Sequence, residues 1–485
     1  MRRRDFVKNA AASGLALTVV PSFVVSGLGH TPPSDKLNIA GIGVGGKGKV
    51  NLRNMVGQNI VALCDVDYAY AKPVFETYPG ATTYQDFRKM FDEQKDIDAV
   101  VVATPDHTHA LSAAAAMELG KHVYLQKPLT HSVWESRYLA DLAEKTGVVT
   151  QMGNEGHSSD TVYEVAEVVQ SGCLGTIREA HVWTNRPIWR QGMPAPDKVV
   201  RVPRTLDWEL FIGPAEMRGY NPEYHPWIWR GWWDFGTGAL GDMGCHLLDV
   251  PNYALQLGQP IAFQASSSLV NTDSAPVASK VSYKFPARKN LPYLALPELE
   301  LTWYDGGLMP PRPWDLPNDA PMKPGGGFMF IGTEGTLIAE SYGANWKTYK
   351  NGEAFTPQTK VDLGRIPDHP LGGGRHEMHF VECCKNGGSP ASNFEYAGPF
   401  NEMVVMGNLA VRLQSLQKTL EWDSENMQVT NIGAAETIRT AKLSPYSRDI
   451  VTLNVERKAK TWVEHNALEM SKEWIKHEYH NGWTL

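Results

Sequence analysis

Asp242 and His246 stand four positions apart in the run Gly241-Asp242-Met243-Gly244-Cys245-His246-Leu247-Leu248-Asp249, which follows Gly236-Thr237-Gly238-Ala239-Leu240. On a helix this spacing puts a carboxylate and an imidazole on one face, roughly 6 Å apart, near enough to serve one substrate together. Imidazole titrates close to neutral pH, so such a pair can move a proton to or from a hydroxyl. The plainer possibility is an Asp at a helix N-cap beside a core His.

A second chemical group lies near the start of the chain. Leu37-Asn38-Ile39-Ala40 reads as a strand, Gly41-Ile42-Gly43-Val44-Gly45-Gly46 as a glycine turn, and the residues up to Gly57 as a helix. In that setting GxGxxG binds a dinucleotide. Gly41 is expected to permit the tight turn, Gly43 to let the backbone approach a pyrophosphate, and Gly46 to let helix and strand pack closely. The helix N-terminus offers unpaired N–H groups to the phosphates. A strand from Ile60 to Cys64 then ends at Asp65, about 20 residues beyond the motif, where a carboxylate meets a ribose diol. Asp65 would repel a 2′-phosphate, and Val66-Asp67-Tyr68 supply no cation, so NAD is favoured over NADP. Capping of the next helix is the alternative role for Asp65.

Both groups need rigid elements behind them. Ala99 to Ala103 is a fully apolar strand, and a helix from His109 to Leu119 follows it and stops at Gly120. His122 to Leu125, a helix from Ser132 to Lys145, and Val148 to Met152 continue the alternation. Apolar runs too short for helices, separated by helices, indicate a buried parallel sheet. Ligands lie at the carboxyl ends of such strands, so Thr104-Pro105-Asp106-His107 and Gln126-Lys127-Pro128 are expected to face the dinucleotide.

Beyond residue 260, strand-like stretches run over Ala262 to Val270, Lys280 to Phe285, Leu299 to Tyr304, Met329 to Ile331 and Thr336 to Glu340. Turn-rich segments separate them, the pattern of a mostly antiparallel open sheet. Helices are expected from Arg375 to about Lys385, with His376 and His379 reaching the cleft or, as the plainer reading, on its surface, and from Pro399 to Leu416. The fold class is therefore α/β. A Rossmann doubly wound parallel sheet (35–153) precedes an α/β domain with a large, mostly antiparallel open sheet (154–440). Residues 441–485 form a C-terminal extension of partly amphipathic helical pattern, read as a docking part rather than a catalytic one.

The glycine motif, Thr104-Pro105-Asp106-His107 and Lys127-Pro128 resemble the Gfo/Idh/MocA family of NAD-dependent oxidoreductases, over residues 36 to about 440. The family's usual Glu-Lys-Pro stands here as Gln126-Lys127-Pro128, which changes any contact that carboxylate would make. The resemblance implies a cofactor set of Gly41, Gly43, Gly46, Asp65, Thr104, Pro105, His107 and Lys127. It also implies that Lys127, Asp242 and His246 surround the reacting carbon of a sugar or polyol. NAD would take a hydride from a secondary alcohol while a base takes the hydroxyl proton. His246 is the candidate base, Lys127 would hydrogen-bond the same oxygen, and Asp242 would orient the substrate or hold His246 in register; Lys127 and His246 can exchange roles. The family's open sheet often builds oligomers, so a homo-oligomer is expected.

Further residues are candidates for shaping a sugar site. Glu155 and His157 follow the last Rossmann strand and fall either at the cleft or in solvent as loop residues. The run His225-Pro226-Trp227-Ile228-Trp229-Arg230-Gly231-Trp232-Trp233 can present Trp229 and Arg230 as part of a stacking wall, with two or more of its indoles in the core. Asn185, Arg186 and Trp189 follow a strand from Ile177 to Trp183. No metal is expected, because His107, His109, His157, His225 and His246 match no tight ligand spacing.

Composition sets the outer bounds. A chain of 485 residues is long enough for two cores, and its net charge of −7 suggests no nucleic-acid partner. Five cysteines without CxxC spacing, two of them adjacent, read as buried thiols. Residues 1–30 resemble a twin-arginine export signal, with Arg3 and Arg4 as the pair before the apolar stretch from Ala10 to Val25. Gly14 and Pro21 interrupt that stretch, which falls short of the ~20 residues a span needs, so no stable membrane span is expected and the protein reads as exported and periplasmic. That route carries folded proteins and suits a retained NAD. Two other functions stay open: NAD-assisted glycoside cleavage, with transient oxidation at a position such as C3 and no net redox change, and a non-catalytic sugar-binding or sensory protein.

Overall fold

The computed structural model describes residues 36–289, 296–314, 316–443 and 459–485; the export-signal stretch lies outside them. Strands β1 (Asn38–Ile42), β2 (Asn59–Cys64), β3 (Thr82–Tyr84), β4 (Ala99–Val102), β5 (His122–Leu125) and β6 (Thr150–Met152) form one parallel sheet in the order β3-β2-β1-β4-β5-β6. None carries an Asp, Glu, Lys or Arg, so both faces can be covered by helices without burying charge. The connecting helices are α1 (Lys49–Asn54), α2 (Tyr68–Thr77), α3 (Phe87–Glu93), α4 (His109–Glu118) and α5 (Val133–Thr146). Ser132 and Glu135 close a capping box at the start of α5, and Gly147 ends it in the left-handed region at φ 66°. Strand order reverses between β1 and β4, and the crevice at that switch point is where such sheets take ligands.

The second domain contains α6 (Asp160–Gln170), β7 (Ile177–Thr184), α7 (Trp208–Ile212), α8 (Gly238–Leu247) and α9 (Asp249–Leu255). Next come β8 (Ala262–Ser267), β9 (Ser279–Phe285), β10 (Leu299–Tyr304), β11 (Gly326–Gly332), β12 (Thr336–Glu340), β13 (Lys347–Lys350) and β14 (Glu353–Phe355). Helices α10 (Arg375–Asn386) and α11 (Phe394–Leu413) precede β15 (Leu420–Asp423) and β16 (Gln428–Val429). Ten strands pair in the order β14-β13-β12-β11-β7-β10-β9-β8-β15-β16. Neighbours are antiparallel except β7 and β10, whose parallel register sets Leu301 beside Ala180. The short strands β13 to β16 escape a sequence reading because they span too few residues to show an alternation.

Helix α11 ties the two domains together, and almost every side chain along it is buried. It begins at Phe394 rather than at Pro399, because the Asn393 side chain accepts the Tyr396 N–H and caps it; Pro399 lies inside. Asn401, fully buried, accepts the Leu129 N–H at 3.0 Å and donates to Thr130 Oγ1 and Ser136 Oγ at 3.0 and 2.9 Å. Asn408 donates to the Thr237 carbonyl at 2.8 Å, just before α8. One helix therefore fixes both the loop behind Lys127 and the start of the Asp242 helix.

Two expectations change. His376 is not on the surface of α10: it is buried, with Nδ1 2.7 Å from Ser158 Oγ and Nε2 2.8 Å from the Met152 carbonyl. The C-terminal extension, among its described residues, is strand as well as helix. Strand β17 (Thr437–Leu443) runs through residue 440 and pairs with β18 (Ala459–Asn466), and only then does helix α12 (Ala467–Ile475) form, capped by the Asn466 side chain. All five cysteines are free; Cys173 and Cys384 are only partly buried.

Replacing Asn401 with Leu strips the Leu129 N–H and the Thr130 and Ser136 hydroxyls of a buried partner. The expected cost is about 2–4 kcal/mol, read as a fall in Tm by calorimetry. An unchanged Tm would show that α11 does not carry the loop.

Candidate active site

The glycine turn works, but not with the anticipated division of labour. Gly43 is the left-handed residue, at φ 77°, and a Cβ there would come 2.7 Å from the Ala103 and Thr104 backbone. Gly41 instead makes the close helix–strand packing possible, since its Cβ would meet Val44 and Leu52 side chains at 2.7 and 2.9 Å. Gly46 breaks the helical path of residues Val44–Gly48, with φ −105° and ψ −116°, and lines the cavity with Lys47. Asp65 accepts the Gly45 N–H at 2.8 Å and the Asp67 N–H at 3.0 Å, so its carboxylate faces the turn. The next helix is capped by Asp67, not Asp65. Burial raises the Asp65 carboxyl to about 6, against the pull of those two N–H groups.

A cavity of about 640 Å³ starts at this turn and runs across the strand ends, a size suited to a cofactor with a small substrate. Thr104 and Pro105 line it, and the Thr104 hydroxyl is buried with no protein partner, a polar atom aimed where a ligand would lie. A glycine cradle that admits no side chain, a carboxylate at the end of β2 and an orphaned hydroxyl together fit a dinucleotide. His107 departs from expectation: it is buried outside the cavity, its Nε2 2.9 Å from the Phe211 carbonyl and its ring against Phe235. Asp106 turns away as well and accepts from the Thr237 N–H (3.0 Å) and hydroxyl (2.7 Å), holding the N-terminus of α8. His109 links the two motif loops, with its ring nitrogens 2.8 and 2.9 Å from the Pro128 and Thr104 carbonyls.

Helix α8 carries Asp242 and His246 on one face, and both line the cavity with Lys127. Lys127 Nζ donates to Asp242 Oδ1 at 2.9 Å and to the Asp242 carbonyl at 2.8 Å. Arg230 Nε donates to the same Oδ1 at 3.1 Å. Burial alone would raise the Asp242 carboxyl, but Lys127 and Arg230 outweigh it and hold the group at about 2. Asp242 thus anchors two cations, and no hydrogen bond joins it to His246. Burial, reinforced by the Lys127 charge, lowers the His246 imidazole to about 3, so the ring is neutral. Its Nδ1 is buried without a partner.

The aromatic run divides. Trp232 and Trp233 are core, whereas Trp227 and Trp229 flank Arg230, their ring centroids 4.2 and 4.4 Å from its guanidinium carbon, and line the cavity. Arg186 and Trp189 line it too; Asn185 accepts from Arg186 at 2.9 Å. Glu155 reaches the cavity but is committed, 2.6 Å from Lys47 Nζ and 2.9 Å from Asn51 Nδ2. His157 does not reach it: it is buried against Asp249, 2.8 Å away, among Tyr253 and Tyr396. Its position after β6 suggested the cleft, but the short 3-10 turn Glu155–Ser158 rotates it into the core.

The cavity also takes in residues not expected there, three of them polar or aromatic groups close to the site. Tyr342, itself left-handed at φ 59°, sets its ring 5.3 Å from His246. His225 pairs with Asp67 at 3.0 Å on the adenosine side. Trp483 arrives from the C-terminal tail. Tyr342 and Trp483 carry no local motif, and only the fold brings them in. Among the described residues no cluster of His, Cys, Asp and Glu could hold a metal, and no helix is long and apolar enough to cross a membrane.

Comparison with known proteins agrees with this architecture. The chain is 28% identical over 196 residues to a D-glucoside 3-dehydrogenase from Escherichia coli, a match covering 40% of this chain and 46% of that protein. It is 35% identical over 132 residues to an alpha-N-acetylgalactosaminidase from Bacteroides fragilis, covering 25% and 31%. The chain spans less than half the length of these curated relatives. The structure of a levoglucosan dehydrogenase in complex with NADH superposes with a TM-score of 0.53 at 17% identity, over 80% of this chain and 99% of that one. Two family models match in succession, the oxidoreductase NAD-binding Rossmann fold at residues 37–154 and the oxidoreductase C-terminal alpha/beta domain at 158–289. The chain belongs to the Gfo/Idh/MocA oxidoreductase family, and its cofactor is NAD.

Proposed function

We propose that the protein oxidises a secondary hydroxyl of a sugar or glycoside. The observation that carries this reading is the meeting of Lys127, Asp242 and His246 in one cavity with the glycine turn. The glycine turn and Asp65 would hold NAD, and the bound cofactor would supply the hydride acceptor for the carbinol carbon. The chain's own residues handle the hydroxyl proton. Lys127 spends two of its three N–H groups on Asp242, which leaves one to donate to the substrate oxygen and stabilise it as negative charge develops. His246 is neutral and presents an unprotonated ring nitrogen toward the hydroxyl proton; burial and the Lys127 charge hold it well below the near-neutral value expected from the sequence, which makes it a weaker base than an exposed imidazole. Asp242 fixes the ammonium in place and, with Arg230 stacked between two indoles, closes the sugar end of the cavity. The names of the glucoside and levoglucosan relatives support a carbohydrate substrate. The arginine-rich leader supports export by the twin-arginine route to the periplasm, and the ten-stranded sheet offers a surface for assembly into a homo-oligomer.

The glycosidase name among the relatives favours a second reading, in which transient oxidation lets a glycosidic bond break before the sugar is reduced again. Incubation with glucosides and galactosides, following keto sugar, released aglycone and NADH in the same samples, separates the two. Keto sugar with matching NADH is expected. Aglycone without net NADH would move the assignment to the second reading, and binding with neither product would make the protein a non-catalytic sugar receptor.

Substituting Lys127→Ala or His246→Ala is expected to lower turnover by about 10²- to 10⁴-fold while NAD still binds by calorimetry. Near-normal turnover in both would overturn the assignment. The pH profile gives a separate check. With its folded pKa depressed from 6.5 to about 3, His246 is unprotonated across the range where an ordinary histidine would titrate. The acid limb of kcat/KM for oxidation should therefore show no break at 6.5 attributable to this residue. A limb there that disappears in His246→Gln would refute the neutral, buried base.

A further inference from the structure

The last ten residues leave α12, return across the Rossmann domain and end at the dinucleotide cavity, and each step of that path is anchored. The Lys476 ammonium lies 3.8 Å from the centre of the Trp134 ring, and His477 stacks on His131 at 4.6 Å. The Tyr479 hydroxyl donates to Glu135 at 2.6 Å, the carboxylate that also closes the α5 capping box. Asn481 Nδ2 then donates to the Gly213 and Ala215 carbonyls at 2.9 and 2.8 Å. Asn481 and Gly482 are both left-handed, at φ 56° and 76°, and this turn aims the following side chain back at the sheet.

That side chain is Trp483. Its ring sits 5.8 Å from Phe87 and under the Arg88 guanidinium, whose carbon is 4.2 Å from the ring centre. Arg88 is itself gripped by both Asp86 oxygens, at 3.0 and 2.6 Å. Trp483 is only partly buried, and the surface it leaves uncovered lines the cavity with Gln85, Phe87, Leu111 and Ser112. The position in the sheet says which part of the ligand this is. Lys127, after β5, marks the reacting end; the glycine turn after β1 takes the pyrophosphate; Asp65, after β2, takes the adenosine ribose. Gln85 and Phe87 follow β3, one strand farther out. The compartment there is apolar, aromatic-walled and suited to a purine base.

We infer that the C-terminal tail is a clamp on the adenine end of NAD, with Trp483 as its wall. The inference rests on the dinucleotide cleft but not on which hydroxyl is oxidised. A flat indole held by Phe87 and Arg88 presents a surface against which adenine can pack, and the tail must swing aside for the base to leave. The clamp slows exchange of the cofactor without touching the reacting end.

The test is calorimetric titration of the full-length protein, freed of dinucleotide, with each half of the cofactor separately: ADP-ribose and nicotinamide mononucleotide. Trp483→Ala is expected to weaken ADP-ribose by about tenfold and leave nicotinamide mononucleotide within about twofold, the scale of one lost base–aromatic contact. Trp483→Phe keeps an aromatic wall and should retain most of the affinity. Unchanged ADP-ribose binding in Trp483→Ala would overturn the clamp. So would equal losses for both halves, which would make the tail a general support of the fold. A native protein that binds neither half would overturn the cofactor site and the clamp with it.

Discussion

The ion pair between Lys127 and Asp242 is where the two domains meet chemically. Lys127 belongs to the end of a Rossmann strand and Asp242 to a helix of the second domain, and both are largely withdrawn from water. A buried pair of this kind gains stability only when its geometry is held, and removing one partner leaves a charge without compensation. The surrounding structure supplies that restraint from several directions. Asn401 holds the loop that follows Lys127, Asp106 holds the start of the Asp242 helix through Thr237, and Asn408 takes the Thr237 carbonyl. Arg230 shares Asp242 with the lysine. These are polar contacts inside an apolar core, so each has a specific partner to lose and together they define one relative placement of the domains.

This arrangement also separates the jobs of the three catalytic candidates. Two cations on one carboxylate keep Asp242 ionised and pinned, which excludes it as a proton carrier near neutral pH. The same lysine charge, added to burial, keeps His246 neutral. A proton acceptor and a hydrogen-bond donor thereby line the same cavity. That condition is what alcohol oxidation needs, since the hydroxyl must lose a proton to one group while the other stabilises its oxygen.

Much of this was legible because it is local. The strand-turn-helix setting of the glycines, the carboxylate at the end of β2, and the four-residue spacing of Asp242 and His246 all lie within single elements, and the helix delivers the face that the spacing implies. What failed is non-local. His107 and His157 stand in the right segments, but one turns to the Phe211 carbonyl in α7 and the other pairs with Asp249, choices made by neighbours far along the chain. The distribution of roles among Gly41, Gly43 and Gly46 depended on which backbone and side-chain atoms pack above them, which no motif states. The tail was legible only in part: its short helix and its docking were readable, but a strand, a helix and an extended arm have no shared period, and the arm's destination is a tertiary fact.

Gln126 shows how a departure from a family pattern can be read physically. Its amide donates to Asn51 Oδ1 at 3.0 Å, and the Asn51 amide in turn faces Glu155 and Glu377, both at 2.9 Å. Burial and the neighbouring Glu155 already push the Glu377 carboxyl above its ordinary value, so a further negative charge here would be disfavoured. A glutamate at 126 would bring a third carboxylate to one buried asparagine and could not donate to its oxygen. The glutamine supplies the donor and omits the charge. The acidic groups around Asn51 come instead from α10 and from the turn after β6, and Lys47 in the glycine turn is tied to one of them. Lys47, which lines the cavity at this turn, is thereby partly neutralised, and the backbone N–H groups of the turn would be left to hold the phosphates.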